Sequence, residues 1–130
     1  MSKQATAIQV KRVYDPPDVS DGMRVLVDRL WPRGLRKEKA ALTYWLKEIA
    51  PTPELREWFG HDPARYAEFA RCYRAELVHN KDAVGRLEDL LKRGPVTLLY
   101  GARDEEHNHA RVLASFLHDH MKGSHGKHSA

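Results

Sequence analysis

Gly94-Pro95-Val96-Thr97-Leu98-Leu99-Tyr100-Gly101 decides the fold of this chain. The run Val96 to Tyr100 is too short for a helix, is rich in strand formers, and is punctuated by Gly-Pro before it and glycine after it. It lacks the polar alternation of a half-exposed strand, so it reads as a central strand covered on both faces. On its N-terminal side, Val84, Leu87 and Leu91 recur at helical spacing between Asn80, read as a cap, and the Gly94-Pro95 stop. Further upstream, Asp62-Pro63 is an N-cap followed by proline at the first helical position, and Tyr66, Phe69, Ala70, Tyr73 and Leu77 predict an amphipathic helix over 63–78. On the C-terminal side, Asp104 is placed to cap a last helix that begins near Glu105, buries Ala110, Leu113, Ala114 and Leu117, and stops at Gly123. This helix-strand-helix order favours parallel pairing.

The N-terminal half supplies the partners. Ile8 to Tyr14 alternates well enough to be a half-buried strand, although Arg12 and Val13 break the pattern. Asp15-Pro16-Pro17-Asp18 then opens a loop that lasts to Gly22. Met23 to Val27 is a second strand, Leu30-Trp31-Pro32-Arg33-Gly34 a turn, and Arg36 to Ala41 a short helix. Leu42 to Ile49 fits both periods, with a lean to strand, and Pro51 and Pro53 stop either element. The expected fold is α/β: one small domain over 1–122, with a mostly parallel sheet of about four strands flanked by helices, and a polar, disordered tail over 123–130.

Composition narrows the function. With 130 residues there is room for one domain, and 31% charged residues with no long apolar run exclude a membrane span. Met1 to Thr6 lacks the apolar core of a signal peptide, so the expected location is the cytoplasm. The single cysteine, Cys72, rules out an intramolecular disulfide and any four-cysteine zinc site, and in mid-helix it lacks the setting of a nucleophile. The net charge of +4 and a pI near 9.3 are compatible with anionic partners. The excess is local: Arg24, Arg29, Arg33, Arg36, Lys37 and Lys39 face only Asp28 and Glu38 in one short segment.

In an open parallel sheet, ligands bind at the carboxyl ends of strands, where loops run into helix N-termini. Two segments fall there: Asp28 to Gly34 and Tyr100 to His109. If their strands are neighbours, Arg29, Arg33 and Arg103 converge on one anion, with Trp31, Tyr100 and Gly101 lining the site and Asp28 as a positioning group. The alternative is structural, Asp28 pairing with Arg29 or Arg103 to tie two loops together. The Glu105-Glu106 pair disfavours a highly charged anion and fits a nucleoside-like group with a single phosphate. Asp28, His107 and His109 are the candidates for proton transfer, since imidazole works in the useful pH range.

No metal is expected. His107 and His109 are two residues apart, which on one helix turns them about 200° from each other, and the His118, His120, His125 and His128 cluster is a loose histidine-rich end. No cofactor is expected either, because the chain has no GxGxxG, Walker A or GxSxG motif.

Several stretches together resemble the YeaO-like branch of the family called domain of unknown function 488. They are Val27-Asp28-Arg29-Leu30-Trp31-Pro32-Arg33-Gly34, Ile49-Ala50-Pro51, Leu55-Arg56 through Trp58-Phe59-Gly60-His61, Tyr73 to Leu77, and Leu98-Leu99-Tyr100 with His107-Asn108-His109-Ala110. The resemblance implies an α/β domain with no settled activity. The wider family often carries a Cys-His-Arg element near the start of the last helix, where Asn108-His109-Ala110 stands here, so the resemblance implies no thiol chemistry for this chain.

The leading expectation is therefore a small domain that binds a phosphorylated or nucleotide-like anionic ligand at the strand ends. Two others stand beside it: a nucleic-acid-binding accessory domain that uses Arg24 to Lys39, and a protein-interaction module without catalysis.

Overall fold

The computed structural model describes residues 8–129, with side chains over residues 8–122. Met1 to Thr6 therefore lies outside the described residues, as do the side chains of the tail expected over 123–130. Four strands, β1 (Ile8–Arg12), β2 (Met23–Leu26), β3 (Tyr44–Trp45) and β4 (Val96–Tyr100), pair in parallel in the order β1-β4-β2-β3. The last strand in sequence is thus inserted between the first two. All five of its residues are buried, as its unbroken apolar run requires.

Alternate residues of the sheet serve two cores. Val25, Val27, Val96, Leu98 and Tyr100 join the larger one, to which α2 (Pro53–Phe59), α3 (Tyr66–His79), α4 (Lys81–Arg93) and α5 (His109–Ser129) supply Phe59, Phe69, Tyr73, Leu77, Leu87, Leu91, Leu113 and Leu117; the short α1 (Lys37–Ala40) belongs to the other face. Leu26 and Leu99 point the other way, with Val13 and Ala40, into a smaller core covered by Trp31, Leu35, Leu42 and Trp45. The protein is a single α/β domain with α2 to α5 over one face and the 13–22 and 30–43 segments, the latter carrying α1, over the other.

On that second face sits a buried ion pair. Arg24 Nη1 lies 2.5 Å from Asp21 Oδ2, with Lys11 Nζ at 3.1 Å, and the Arg24 guanidinium also donates to the carbonyls of Ala40 and Ala41. Arg24 is therefore withdrawn from the basic surface segment to which the sequence assigns it.

Three further boundaries differ from the sequence reading. Thr52 caps α2, accepting from the Leu55 N–H, so Pro53 starts a helix at its first position instead of stopping one. Asn80 precedes α4 without capping it; its Nδ2 donates to the Glu48 carbonyl. The last helix begins at His109, not near Glu105, and runs past Gly123, a residue that costs a helix interior only about 1 kcal/mol.

Candidate functional site

β2 and β4 are parallel neighbours, so the loops that leave them open onto the same edge of the sheet. A cleft of about 400 Å³ lies there, walled by the 28–33 loop, the 101–109 loop and the end of α2. Its base is set by Asp28. One carboxylate oxygen, Oδ2, accepts the Gly101 N–H at 2.9 Å, and a Cβ at position 101 would stand 3.0 Å from that oxygen and 3.4 Å from Pro32 Cβ. A side chain there would force the Asp28 carboxylate to give by a few tenths of an ångström, so glycine suits this close approach. The second oxygen, Oδ1, is buried without a hydrogen bond, 3.2 Å from His109 Nε2.

His109 Nε2 also lies 3.0 Å from the Val27 carbonyl. A carbonyl can only accept, so Nε2 carries a proton, and in the neutral ring Nδ1 is the one lone pair left for a base. His107 is held differently. Its Nδ1 stands 2.9 Å from Asp104 Oδ2, and its ring meets Tyr66 edge-on at 5.1 Å. Asp104 turns the chain before the helix, accepting the N–H groups of Glu106 and His107. Those backbone bonds from His107 and Glu106, then the His107 ring, hold its carboxyl below the usual carboxylate value.

The true cap of α5 is Asn108, which is buried. Its Oδ1 accepts the Arg111 N–H, its Nδ2 donates to the Asp104 carbonyl, and its own carbonyl accepts the Tyr66 hydroxyl. Burial raises the Tyr66 phenol, which stays protonated as that donor. Because His107 precedes the helix, the 200° separation never applies, and both imidazoles line the cleft.

The expected residues divide. Asp28, Arg29, Trp31, Arg33, Gly101, His107 and His109 come together in the cleft lining. Tyr100 is buried in the core instead, its phenol raised first by burial and then by Glu105, and Arg103 is exposed outside the lining. Arg29 lines the cleft but is braced, with Nη2 3.1 Å from the Ala50 carbonyl. Asp28 pairs with neither Arg29 nor Arg103 among the described residues; its partners are Gly101 and His109.

Several lining residues are not marked as site residues by the sequence, among them Tyr14, Phe69, Arg56, Phe59 and His61. Three of them follow from α2 and its exit, where Gly60 and then His61 take left-handed backbone at φ 53° and 58°. The Thr52-Pro53-Glu54 start signal would have revealed that helix.

A model of the family described as "Inactive DUF488-N3 subclade" matches residues 7–130. The chain is 52% identical over 110 residues to the uncharacterized protein YeaO of Escherichia coli strain K12, covering 85% of this chain and 96% of that one. It is 46% identical over 112 residues to uncharacterized proteins of Mycobacterium bovis and Mycobacterium tuberculosis strain H37Rv, covering 86% of this chain and 94% of each. No solved structure matches it.

Proposed function

The chain belongs to the inactive DUF488-N3 subclade, and on that premise we propose that it is a binding protein for a small anionic, nucleotide-like ligand held without turnover in the cleft beyond β2 and β4. One observation carries this reading: three guanidinium groups, Arg29, Arg33 and Arg56, line the cleft together with His61, His107 and His109, against a single carboxylate, Asp28, which is already engaged by Gly101. Guanidinium forks match phosphate oxygens, and the low-dielectric wall of a cleft strengthens that attraction. Trp31, Phe59 and Phe69 give the same space an aromatic lining suited to a heterocycle.

Binding without turnover is supported by what lines the cleft. Among the described lining residues there is no cysteine, serine, threonine or lysine, and two groups that could form a covalent intermediate are engaged: Asp28 accepts the Gly101 N–H, and the Tyr14 hydroxyl donates to the Arg33 carbonyl. Asn108, the residue at the start of the last helix, spends its side chain on capping. The word "inactive" in the subclade's description agrees with this reading.

The test is a thermal-shift screen followed by calorimetry, using nucleoside monophosphates, the matching nucleosides and inorganic phosphate. A monophosphate should raise the melting temperature by mass action, and its nucleoside should do so less. Arg56→Ala should weaken that binding about tenfold, the worth of one charge-assisted contact. Arg103→Ala should leave it unchanged, because Arg103 stands outside the lining. If no monophosphate shifts the melting temperature or gives heat, the reading is wrong.

A further inference from the structure

We propose that the cleft is one end of a longer surface that binds single-stranded nucleic acid, with one nucleotide in the cleft and the following phosphates held by Arg33, Arg36, Lys37 and Lys39. The inference rests on the ligand class proposed above and extends it from a mononucleotide to a polymer.

Arg33 belongs to both parts: it lines the cleft, and it begins an exposed run in which Arg36, Lys37 and Lys39 also face solvent. Among the described residues none of these four cations is in an ion pair, and Glu38 is the only acid between them. On the helical side Arg65, Arg71 and Arg74 are paired with Asp62, Glu68 and Asp119, and the exposed Lys81, Arg86, Lys92 and Arg93 of α4 share that helix with Asp82, Glu88 and Asp89. The 33–39 run has four exposed cations against one acid, a local excess beside the cleft that attracts a polyanion.

The run is also fixed in place. Tyr14 donates its hydroxyl to the Arg33 carbonyl at 2.7 Å, Trp31 Nε1 donates to the Leu35 carbonyl at 2.7 Å, and Leu35 and Ala40 pack into the smaller core. Arg33 and Lys39 are six positions apart, a reach of about 20 Å at most along the backbone. Lys37 and Lys39 leave opposite sides of α1, and their long flexible stems let them meet phosphates along with Arg33 and Arg36 without reading sequence.

The cleft selects a single strand. A space of about 400 Å³ with an aromatic lining takes one unpaired base, which a duplex keeps stacked inside its helix. An acidic polypeptide would match the strip but has no heterocycle for the cleft, so nucleic acid fits both parts together.

Fluorescence anisotropy with a labelled oligothymidylate tests this, against duplex DNA, polyglutamate and thymidine monophosphate as competitors. The oligonucleotide should bind more tightly than the monophosphate. Its affinity should fall with salt at a log-log slope of about −3, the value for four single-strand phosphate contacts. Lys37→Ala/Lys39→Ala should flatten that slope by about 1.4 and leave monophosphate affinity unchanged. An oligonucleotide bound no better than the monophosphate, or a slope indifferent to the double variant, overturns the inference and spares the mononucleotide reading. Equal binding of duplex or polyglutamate also overturns it, since charge alone would then account for the strip. If neither oligonucleotide nor monophosphate binds, both readings fall.

Discussion

His109 Nε2 stands between two acceptors, the Val27 carbonyl at 3.0 Å and Asp28 Oδ1 at 3.2 Å, and so joins α5 to the end of β2. The proton goes to the carbonyl, and Oδ1 stands beside it without a hydrogen bond of its own. Asp28 in turn joins that end to the loop after β4 through the Gly101 N–H.

Asp28→Asn should expose this arrangement. The carboxylate faces an N–H on each side, and an amide has only one oxygen, so either orientation sets an NH2 against a donor. A loss of about 1–3 kcal/mol in unfolding free energy is expected by urea denaturation, the cost of a buried polar group left without its partner. A variant as stable as the parent would mean that the two loops are held by packing alone.

Asp21 ties acid stability to the opposite face. Burial alone raises its carboxyl, but the bonds from Lys11, the Asp18 N–H and Arg24 outweigh that penalty and hold it below the ordinary value. A carboxyl lowered in the folded state stabilises the fold above its unfolded pKa, and this contribution is lost as pH falls through the folded value. The loss therefore sets in below about pH 4, the ordinary aspartate value. Asp21→Asn should cost about 3–5 kcal/mol at neutral pH, because Arg24 is then buried without its counter-charge. It should also shrink the stability difference between pH 6 and pH 3, measured by urea unfolding at each.

Ala41 ends α1 in left-handed backbone at φ 48°, a conformation that alanine adopts at a cost and glycine without one. Ala41→Gly should therefore stabilise the protein by about 0.5–1 kcal/mol, and an upward shift of a few degrees in melting temperature would register it. A lower melting temperature would mean that the flexibility glycine adds to the unfolded chain outweighs the strain relieved.

The buried run Val96 to Tyr100 and the helix that begins after Asp62-Pro63 were legible because burial and helical period leave local marks. The two cleft loops were legible for a topological reason, since parallel strands open at one edge. What the sequence hid depends on tertiary choices. Arg24 looks like its surface neighbours Arg33 and Arg36 until Asp21 is folded against it. Arg103 follows a strand just as Arg29 does, yet its side chain is exposed outside the lining. Asp104 and Asn108 both have the chemistry of a cap; Asp104 closes the preceding turn, which puts Asn108 at the helix start and His107 ahead of it.

The strand order has a consequence for synthesis. β1 and β2 each pair with β4, so neither has its main hydrogen-bonding partner until the chain has been made as far as Tyr100. Before then only the two-residue register between β2 and β3 is available, too little to hold a sheet. A nascent chain leaving the ribosome must therefore carry two strands without their main partner until Tyr100 has emerged, a period in which chaperone binding and aggregation compete with folding.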